Sequence, residues 1–412
     1  MNPCGKRDDA ARAAREAPMS TSSTTHLALA LDGTGWHPGS WRDPSARADE
    51  LFTARYWTDL VLLAERGTLD LVTIEDGLAL QADDGLHHDP RTDRVRGRLD
   101  AVHVANHVGA LTSRIGLVPL AITTHTEPFH ISKAIATLDY VTSGRAGVQV
   151  RIGGRRDESA HFGRRELGDW SDLDADGQRS FANALFDETD DYVEVLRRLW
   201  DSWEDNAEIR DAATGRFVDR DRLHYIDFEG EHFSVRGPSI TPRPPQGQPV
   251  VAALGHDERP WQLIGTSADV GFVTPKDDAA EALPTIRAAQ QRAGREDDVR
   301  VLGDVLVVLD EDATRAAERL AHLNDLAGSP LESDALIYVG GVPGLADLIE
   351  SWSAAGLSGA RLRPAVNTVD LPHIVDGLVP ELRRRGLFRS AYDGRTLRDH
   401  LGLARPANRY AA

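Results

Sequence analysis

A chain of 412 residues, 41% of them apolar, is long enough to bury the core of one large α/β barrel or of two ordinary domains. Its formal charge of −18, from 65 acidic and 47 basic side chains, repels nucleic-acid phosphates and anionic lipid headgroups, so we expect neither a nucleic-acid nor a membrane partner. The single cysteine, Cys4, excludes an intramolecular disulfide bond and a cysteine-based metal site.

The N-terminal segment is expected to lie outside the folded domain. It lacks the apolar stretch of a signal peptide, and no apolar run in the chain is long enough to span a membrane, so we expect a cytoplasmic protein. Met19 is a second plausible start just before the first predicted strand. We therefore predict that residues 1–24 form a mobile extension and that residues 25–412 form a single domain.

Eight strand-like runs alternate with eight helical patterns in the rest of the chain. Short apolar, β-branched runs predict strands at 26–31, 69–74, 115–123, 146–152, 250–254, 270–273, 299–308 and 359–363. Apolar residues at helical spacing predict helices at 53–66, 98–112, 129–142, 181–203, 258–267, 277–293, 313–327 and 344–355. This alternation predicts an α/β fold consisting of one (β/α)₈ TIM barrel, which commonly needs about 250 residues.

The excess of chain over a minimal barrel must lie in insertions. We predict a polar loop at 154–180, an insertion at 204–247 that contains a hairpin at 224–235, and a third insertion at 324–342. A doubly wound nucleotide-binding fold would need a glycine fingerprint after a strand. Gly33 and Gly35 lack the third glycine of that pattern, and Gly340 opens a helix without the rest of it, so we interpret these residues as turn glycines.

Polar residues follow several predicted strands, at the end of a barrel where active sites lie. His37 follows the first strand, and histidine titrates near neutrality and can transfer a proton. Asp76 follows the second strand, where it fits either a ligand contact or a turn aspartate that caps the next helix. Thr123 ends the third strand, either as an ordinary β-branched residue or as a hydroxyl that faces a ligand.

Gln149 and Arg151 lie two apart on the fourth predicted strand, so their side chains share one face. If that face lies inside the barrel, Arg151 needs an anionic partner, because a buried unpaired guanidinium is very costly. The partner can be an anionic ligand group, Glu75 or Asp76. No helical pair of histidines or carboxylates accompanies His87 and its neighbour, so we expect no metal site.

Four segments resemble a known family: GTGWHPGSWRDP (33–44), EDGLA (75–79), EPFHISKAIATLDYVTSGRAGVQV (127–150) and LVPELRRRGLFRSAYDGRTLRDHLGLARPANRY (378–410). They are similar to the bacterial-luciferase-like flavin-dependent monooxygenases, in the branch of nitrilotriacetate, pristinamycin-synthase and dibenzothiophene-sulfone monooxygenases. The resemblance implies a luciferase-like barrel that forms a homodimer. It also implies an enzyme that uses reduced FMN, supplied by a separate flavin reductase, and O₂ to oxygenate a small organic substrate.

The resemblance implies roles for the residues singled out above. His37 matches a histidine on the substrate or peroxide side and is the candidate catalytic residue. Asp76, Thr123 and Gln149 match flavin contacts, although the family usually has asparagine at the last of these. Arg151 stands where the family has an apolar residue; there it can pair with the reduced flavin ring, the flavin phosphate or a substrate carboxylate.

The chain departs from the family at the flavin phosphate. Ala182, Phe186 and Asp257 stand where the resemblance implies histidine, tyrosine and serine contacts. Arg155 is a candidate substitute, since arginine captures phosphate with two parallel hydrogen bonds. Otherwise FMN binds weakly, another flavin is used, or the site is degenerate. Two alternatives follow: a deazaflavin-dependent hydride-transfer oxidoreductase, and a catalytically silent barrel that binds a flavin or another ligand.

Overall fold

The computed structural model describes residues 25–82 and 87–411. The predicted mobile extension, residues 1–24, lies outside the described residues. The division of the chain into this extension and a single domain therefore stays a prediction.

The strands of the described residues belong to one large sheet and two short hairpins. In chain order they are β1 (His26–Leu31), β2 (Leu71–Ile74), β3 (Gly116–Ile122), β4 (Gly147–Arg151), β5 (Glu208–Asp211), β6 (Arg216–Val218), β7 (Phe228–Glu229), β8 (Ser234–Val235), β9 (Val250–Gly255), β10 (Val270–Val273), β11 (Arg300–Leu309), β12 (Leu336–Gly340) and β13 (Gly359–Pro364).

Helices follow most of the barrel strands and pack around the sheet. They are α1 (Ala54–Arg66), α2 (Ala101–Gly109), α3 (Pro128–Val141), α4 (Arg156–Phe162), α5 (Ala175–Asp201), α6 (Glu258–Ser267), α7 (Ala282–Arg292), α8 (Ala313–Ala327), α9 (Val342–Ala354), α10 (Asn367–Pro372), α11 (Val379–Arg384) and α12 (Leu397–His400). A π-helical turn at His373–Leu378 joins α10 to α11.

Eight parallel strands close into a barrel in the order β1, β2, β3, β4, β9, β10, β11 and β13, and β13 pairs back with β1. These are the eight strands predicted from the sequence, so the α/β TIM-barrel fold is confirmed. The unpredicted strand β12 pairs with the second half of the long strand β11, outside the barrel.

The insertions contain more regular structure than the sequence pattern indicated. The predicted polar loop at 154–180 contains α4 and the first turn of α5. The predicted hairpin at 224–235 corresponds to β7 and β8, and a second hairpin, β5 and β6, precedes it. The third insertion contains β12. β5 and β6 are short and largely polar and give little periodicity, which explains why they were missed. β12 is apolar and carries a strand signal, but it lies inside a segment that was predicted to be an insertion.

The lower part of the barrel interior is apolar. Inward side chains such as Ala28, Val118, Ala252 and Phe272 form one buried cluster there. Leu397 of α12 belongs to the same cluster, so α12 closes this end of the barrel. The opposite face of each strand packs against the surrounding helices, as the alternation of side chains along a strand requires.

The upper part of the barrel interior is charged. Arg361 and Arg363 on β13 are 0% and 2% exposed, and Asp304 on β11 is 0% exposed. Arg361 donates to Glu75 Oε1 at 2.8 Å and to Asp304 Oδ2 at 3.1 Å. Arg363 Nε donates to the same Asp304 oxygen at 2.8 Å. We call Glu75, Arg361, Asp304 and Arg363 the buried ladder; its contacts connect the end of β2 to β13 and β11.

We expect Asp304→Asn to lower the free energy of unfolding by about 3–5 kcal/mol, because two buried arginines then lose a shared counter-charge. Urea denaturation followed by circular dichroism measures the change. Asp298→Asn is the matched control: Asp298 pairs with Arg300 at 3.5 Å from a side chain that is 73% exposed, so little change is expected. A loss for Asp304→Asn no larger than that of the control would contradict this account of the ladder.

Candidate active site

A cavity of about 870 Å³ lies at the C-terminal ends of the barrel strands. The loops after β1, β2 and β4, the start of α5 and the segment before β12 form its walls. A cavity of this size can hold a cofactor or a drug-sized molecule. Trp36, Trp170 and Phe181 give it aromatic walls. His37, Asp76, Arg151 and Arg155 all line it, whereas Thr123 and Gln149 do not.

His37 is 1% exposed, and both of its ring nitrogens have partners. Nδ1 accepts a hydrogen bond from the Gly39 N–H at 3.0 Å, so the proton of the neutral ring must be on Nε2. Nε2 then donates to Asn324 Oδ1 on α8 at 3.1 Å. Burial lowers the pKa of His37, which favours this neutral form.

The loop that carries His37 is held against the end of β13. The N–H groups of Trp36 and His37 donate to the carbonyl oxygens of Pro364 and Ala365 at 2.9 and 3.1 Å. Gly35 has a φ of +148°, and a Cβ there would lie 2.1 Å from the Ala365 oxygen. Only glycine permits this close approach, so Gly35 is required by the turn.

Asp76 lies at the cavity with both carboxylate oxygens bound to main-chain donors. Oδ1 accepts from the Gly77 N–H at 2.7 Å, and Oδ2 accepts from the Ala101 N–H at the start of α2 at 2.9 Å. Burial is the largest influence on Asp76 and raises its pKa. The contact with α2 matches the interpretation of Asp76 as a helix-capping aspartate. Its contact with a flavin stays a prediction.

Arg151 lies at the rim of the charged interior, with 42% of its side chain exposed, so it is less buried than an inward strand position suggests. Nη2 donates to the Asp76 carbonyl oxygen at 2.8 Å. Nη1 lies 3.7 Å from Glu75 Oε2, and Glu75 makes its shorter contact with Arg361. Glu75 was one of the anionic partners expected for Arg151, but the pairing is loose.

Arg155 is 8% exposed and precedes α4. Its Nε donates to Asp157 Oδ1 at 2.9 Å, and its Nη1 donates to the Leu80 carbonyl oxygen at 3.2 Å. A phosphate that binds to Arg155 must therefore compete with the Asp157 carboxylate.

Thr123 and Gln149 lie deeper than the cavity. The Thr123 hydroxyl is 2.7 Å from the Thr189 hydroxyl on α5 and donates to the Arg151 carbonyl oxygen at 3.2 Å. Gln149 is 2% exposed, and its Oε1 has no hydrogen-bond partner in the described part of the chain. Thr123 thus contacts the main chain of Arg151, but neither Thr123 nor Gln149 lines the cavity, and their flavin contacts stay predictions.

The three departures from the family pattern leave an environment poor in phosphate-binding groups. Ala182 lines the cavity and offers no hydrogen bond. Phe186 lies under the guanidinium of Arg259, which pairs with two aspartates of α5. Asp257 is exposed at the start of α6, and its side chain makes no capping hydrogen bond.

Sequence reasoning missed several residues of this region. Arg361 and Arg363 are two apart on one strand, the same signal that singled out Gln149 and Arg151, and could have been found. Glu158 lines the cavity from α4, inside the insertion that was interpreted as a loop, and gave no signal.

Two general properties bear on the chemistry of the site. Within residues 25–82 and 87–411, no three His, Cys, Asp or Glu side chains are grouped closely enough to hold a metal ion. In the same part of the chain no helix has the length and apolar character needed to cross a membrane.

Comparisons with known proteins place the chain in a family. The sequence profile described as luciferase-like monooxygenase matches residues 33–340. Nitrilotriacetate monooxygenase component A of Aminobacter aminovorans is 29% identical and covers 95% of this chain and 99% of its own. Dibenzothiophene-sulfone monooxygenase of Rhodococcus erythropolis is 30% identical and covers 89% of this chain and 94% of its own. The crystal structure of a long-chain alkane monooxygenase superposes with a TM-score of 0.79 at 23% identity, covering 92% of this chain and 95% of the other.

The profile match spans most of the barrel, and both relatives match nearly their whole length. The alkane monooxygenase structure shares the barrel fold. The predicted family and enzyme class are therefore confirmed, and the chain belongs to the luciferase-like monooxygenase family.

Proposed function

We propose that the protein uses reduced FMN, supplied by a separate flavin reductase, and O₂ to oxygenate a small organic substrate. The observation that carries the proposal is the 870 Å³ cavity at the C-terminal ends of the strands, in a chain of the luciferase-like monooxygenase family. His37, Asp76, Arg151 and Arg155 surround this cavity, which supports a site for both cofactor and substrate.

The residues present fit the ring of a reduced flavin. Arg151 is half-exposed and only loosely paired, so its guanidinium is available to an anionic ring. Gln149 Oε1 is a buried acceptor without a partner in the described residues, which suits a ring N–H, but Gln149 lies deeper than the cavity, so the ring must reach below it. Asp76, which lines the cavity, and Thr123, which lies deeper, are the other proposed ring contacts.

The phosphate end fits less well. Arg155 is the proposed phosphate ligand, but Asp157 already binds its guanidinium. Ala182 supplies no donor, and the negative charge of Asp257 repels phosphate. Because the two redox forms of FMN share the phosphate, we expect oxidised FMN to bind weakly and reduced FMN to depend on the ring contacts.

When bound, a reduced flavin would supply two electrons, so that one oxygen atom of O₂ enters the substrate and the other is reduced to water. The protein must exclude water, orient the ligands and hold a proton where oxygen is reduced. Trp36 and Trp170 shield the cavity. His37 holds one proton at Nε2, on a ring that Gly39 keeps in the correct tautomer, and is the proposed catalytic residue.

Two partners belong to the proposal. Nitrilotriacetate monooxygenase component A is, by its name, one part of a larger system, which supports a separate reductase here. Exposed apolar side chains near the ends of α2 and α3, namely Leu111, Tyr140 and Val141, support the proposed homodimer. The cytoplasmic location stays a prediction.

Anaerobic titration of the pure protein with FMN, reduced FMN and a deazaflavin tests the proposal. We expect reduced FMN to bind distinctly more tightly than oxidised FMN, and the bound reduced flavin to be oxidised when O₂ is admitted. Selective binding of the deazaflavin would favour the hydride-transfer oxidoreductase instead. Binding with no reaction toward O₂ would favour the silent barrel.

Arg151→Met should weaken the binding of reduced FMN by about one to two orders of magnitude, because a charge-assisted hydrogen bond contributes about 1.5–3 kcal/mol. Oxidised FMN should lose much less, since its neutral ring offers only a carbonyl acceptor. Absorbance titration under argon measures both affinities, and Arg151→Lys is the control that keeps the charge. Equal losses in the two redox states would place Arg151 at the phosphate. No loss of affinity in either redox state would show that Arg151 acts only as a structural partner of Glu75 and Asp76.

His37→Gln should remove an acid-sensitive contribution to stability. Burial holds the pKa of His37 below its ordinary value of 6.5, so the unfolded chain binds this proton more readily than the folded protein. The wild type should therefore lose more stability than the variant as pH falls from about 7 to about 5. Urea denaturation at several pH values measures this, with His130→Gln, an exposed histidine, as the matched control. A difference between wild type and His37→Gln that stays constant with pH would contradict a neutral, proton-holding His37.

A further inference from the structure

Glu158, in the first turn of α4, places an acidic group in the cavity wall. It is 5% exposed and lines the cavity that His37 and Arg151 also line. The main-chain N–H of Leu78, in the loop after β2, lies close enough to its carboxyl group to favour the charged form. Among the described residues Glu158 forms no ion pair within 4 Å: Arg151 pairs with Glu75, and Arg155 pairs with Asp157.

The main chain fits closely around this carboxyl group. A Cβ at Gly153 would lie 2.9 Å from Glu158 Oε2 and 2.6 Å from the Ile122 side chain. A side chain at this position would have to displace the carboxyl group or its neighbours. The loops after β4 and β2 thus both lie close to Glu158.

A buried carboxylate without a paired cation favours its protonated form. Burial accordingly raises the pKa of Glu158, although the charges of Arg151 and Arg155 oppose this. The other titratable groups around it are Asp157 and His125. The pKa of Asp157 is lowered, chiefly by Arg155 acting against the cost of burial, and burial lowers the pKa of His125 to about 4. Of these three groups, Glu158 alone has a pKa that is raised above its ordinary value.

We propose that Glu158 is a ligand-binding residue that holds its proton in the cavity and, together with Arg151, binds an anionic group of the ligand. The protonated carboxyl group donates a hydrogen bond, while the guanidinium supplies the positive charge. Two sources offer this chemistry: the anionic ring of a reduced flavin and a carboxylate of the substrate. The flavin source rests on the proposed function, whereas the carboxylate source does not.

Ligand binding across the pH range tests the proposal with two probes, reduced FMN under argon and benzoate. In the wild type, affinity should fall by about tenfold per pH unit once Glu158 ionises, because each bound ligand then requires one proton. Glu158→Gln should bind without this added fall and should exceed the wild type at high pH. Ionisation of the probe itself changes the affinity of both proteins equally, so it does not affect the difference between wild type and Glu158→Gln. Glu166→Gln, an exposed acid of the same insertion, is the matched control and should behave as wild type.

The probe that shows the effect identifies the source of the anion. An effect with reduced FMN supports the flavin ring, and an effect with benzoate alone supports a substrate carboxylate. Identical pH dependence in wild type and Glu158→Gln with both probes would overturn the proposal.

Stability provides a measurement that needs no ligand and so separates this proposal from the proposed function. The raised pKa of Glu158 means that the unfolded chain releases the proton first as pH rises. The stability of the wild type should therefore fall relative to Glu158→Gln from pH 4.5, the ordinary value, upward. Glu166→Gln should show no such trend. A constant difference between wild type and Glu158→Gln over this range would overturn the proton-holding role, whether or not reduced FMN binds.

Discussion

The buried guanidinium of Arg361 is the constraint on which the upper barrel depends. It is 0% exposed, so its charge must be balanced inside the protein, and Glu75 and Asp304 provide that balance. Glu75 is thereby committed to Arg361, which leaves Arg151 only a contact of 3.7 Å. On the other side, Arg363 lies 4.4 Å from the ring centroid of Trp36 and so supports one wall of the cavity. The pairing of charges below the cavity thus determines which side chains at the cavity remain available to bind a ligand.

Burial and the available partners also distinguish His37 from Glu158, the two candidate proton carriers. His37 is bound by Gly39 and Asn324 and is kept neutral, so its one proton is fixed at Nε2 and engaged by Asn324. Glu158 is 5% exposed and has no paired cation among the described residues, so its proton is held by the cost of burying a charge. Arg151 contributes a permanent positive charge between the loops after β2 and β4. A cavity with these three groups suits an anionic ligand and oxygen chemistry that consumes protons.

Local sequence patterns were sufficient for the barrel and for part of the site. All eight barrel strands follow from short apolar runs, and His37, Asp76, Arg151 and Arg155 were expected at the mouth because each lies near the end of a predicted strand or just after it. The partners of these residues could not be predicted. Glu75 meets Arg361 across 286 residues of sequence, and His37 meets Asn324 across 287, and no periodicity encodes such pairs. The predicted loop at 154–180 hid α4, because seven mostly polar residues carry no helical signal.

The central claim is that the cavity at the C-terminal ends of the strands binds the ring of a reduced flavin. A crystal structure of the protein with FMN reduced under anaerobic conditions tests it most directly. The account predicts that the ring lies in the cavity, within hydrogen-bond distance of Arg151, and that Arg151 turns away from the Asp76 carbonyl oxygen to reach it. A ring bound elsewhere on the barrel, or an Arg151 that keeps its contacts with Glu75 and Asp76, would contradict the account.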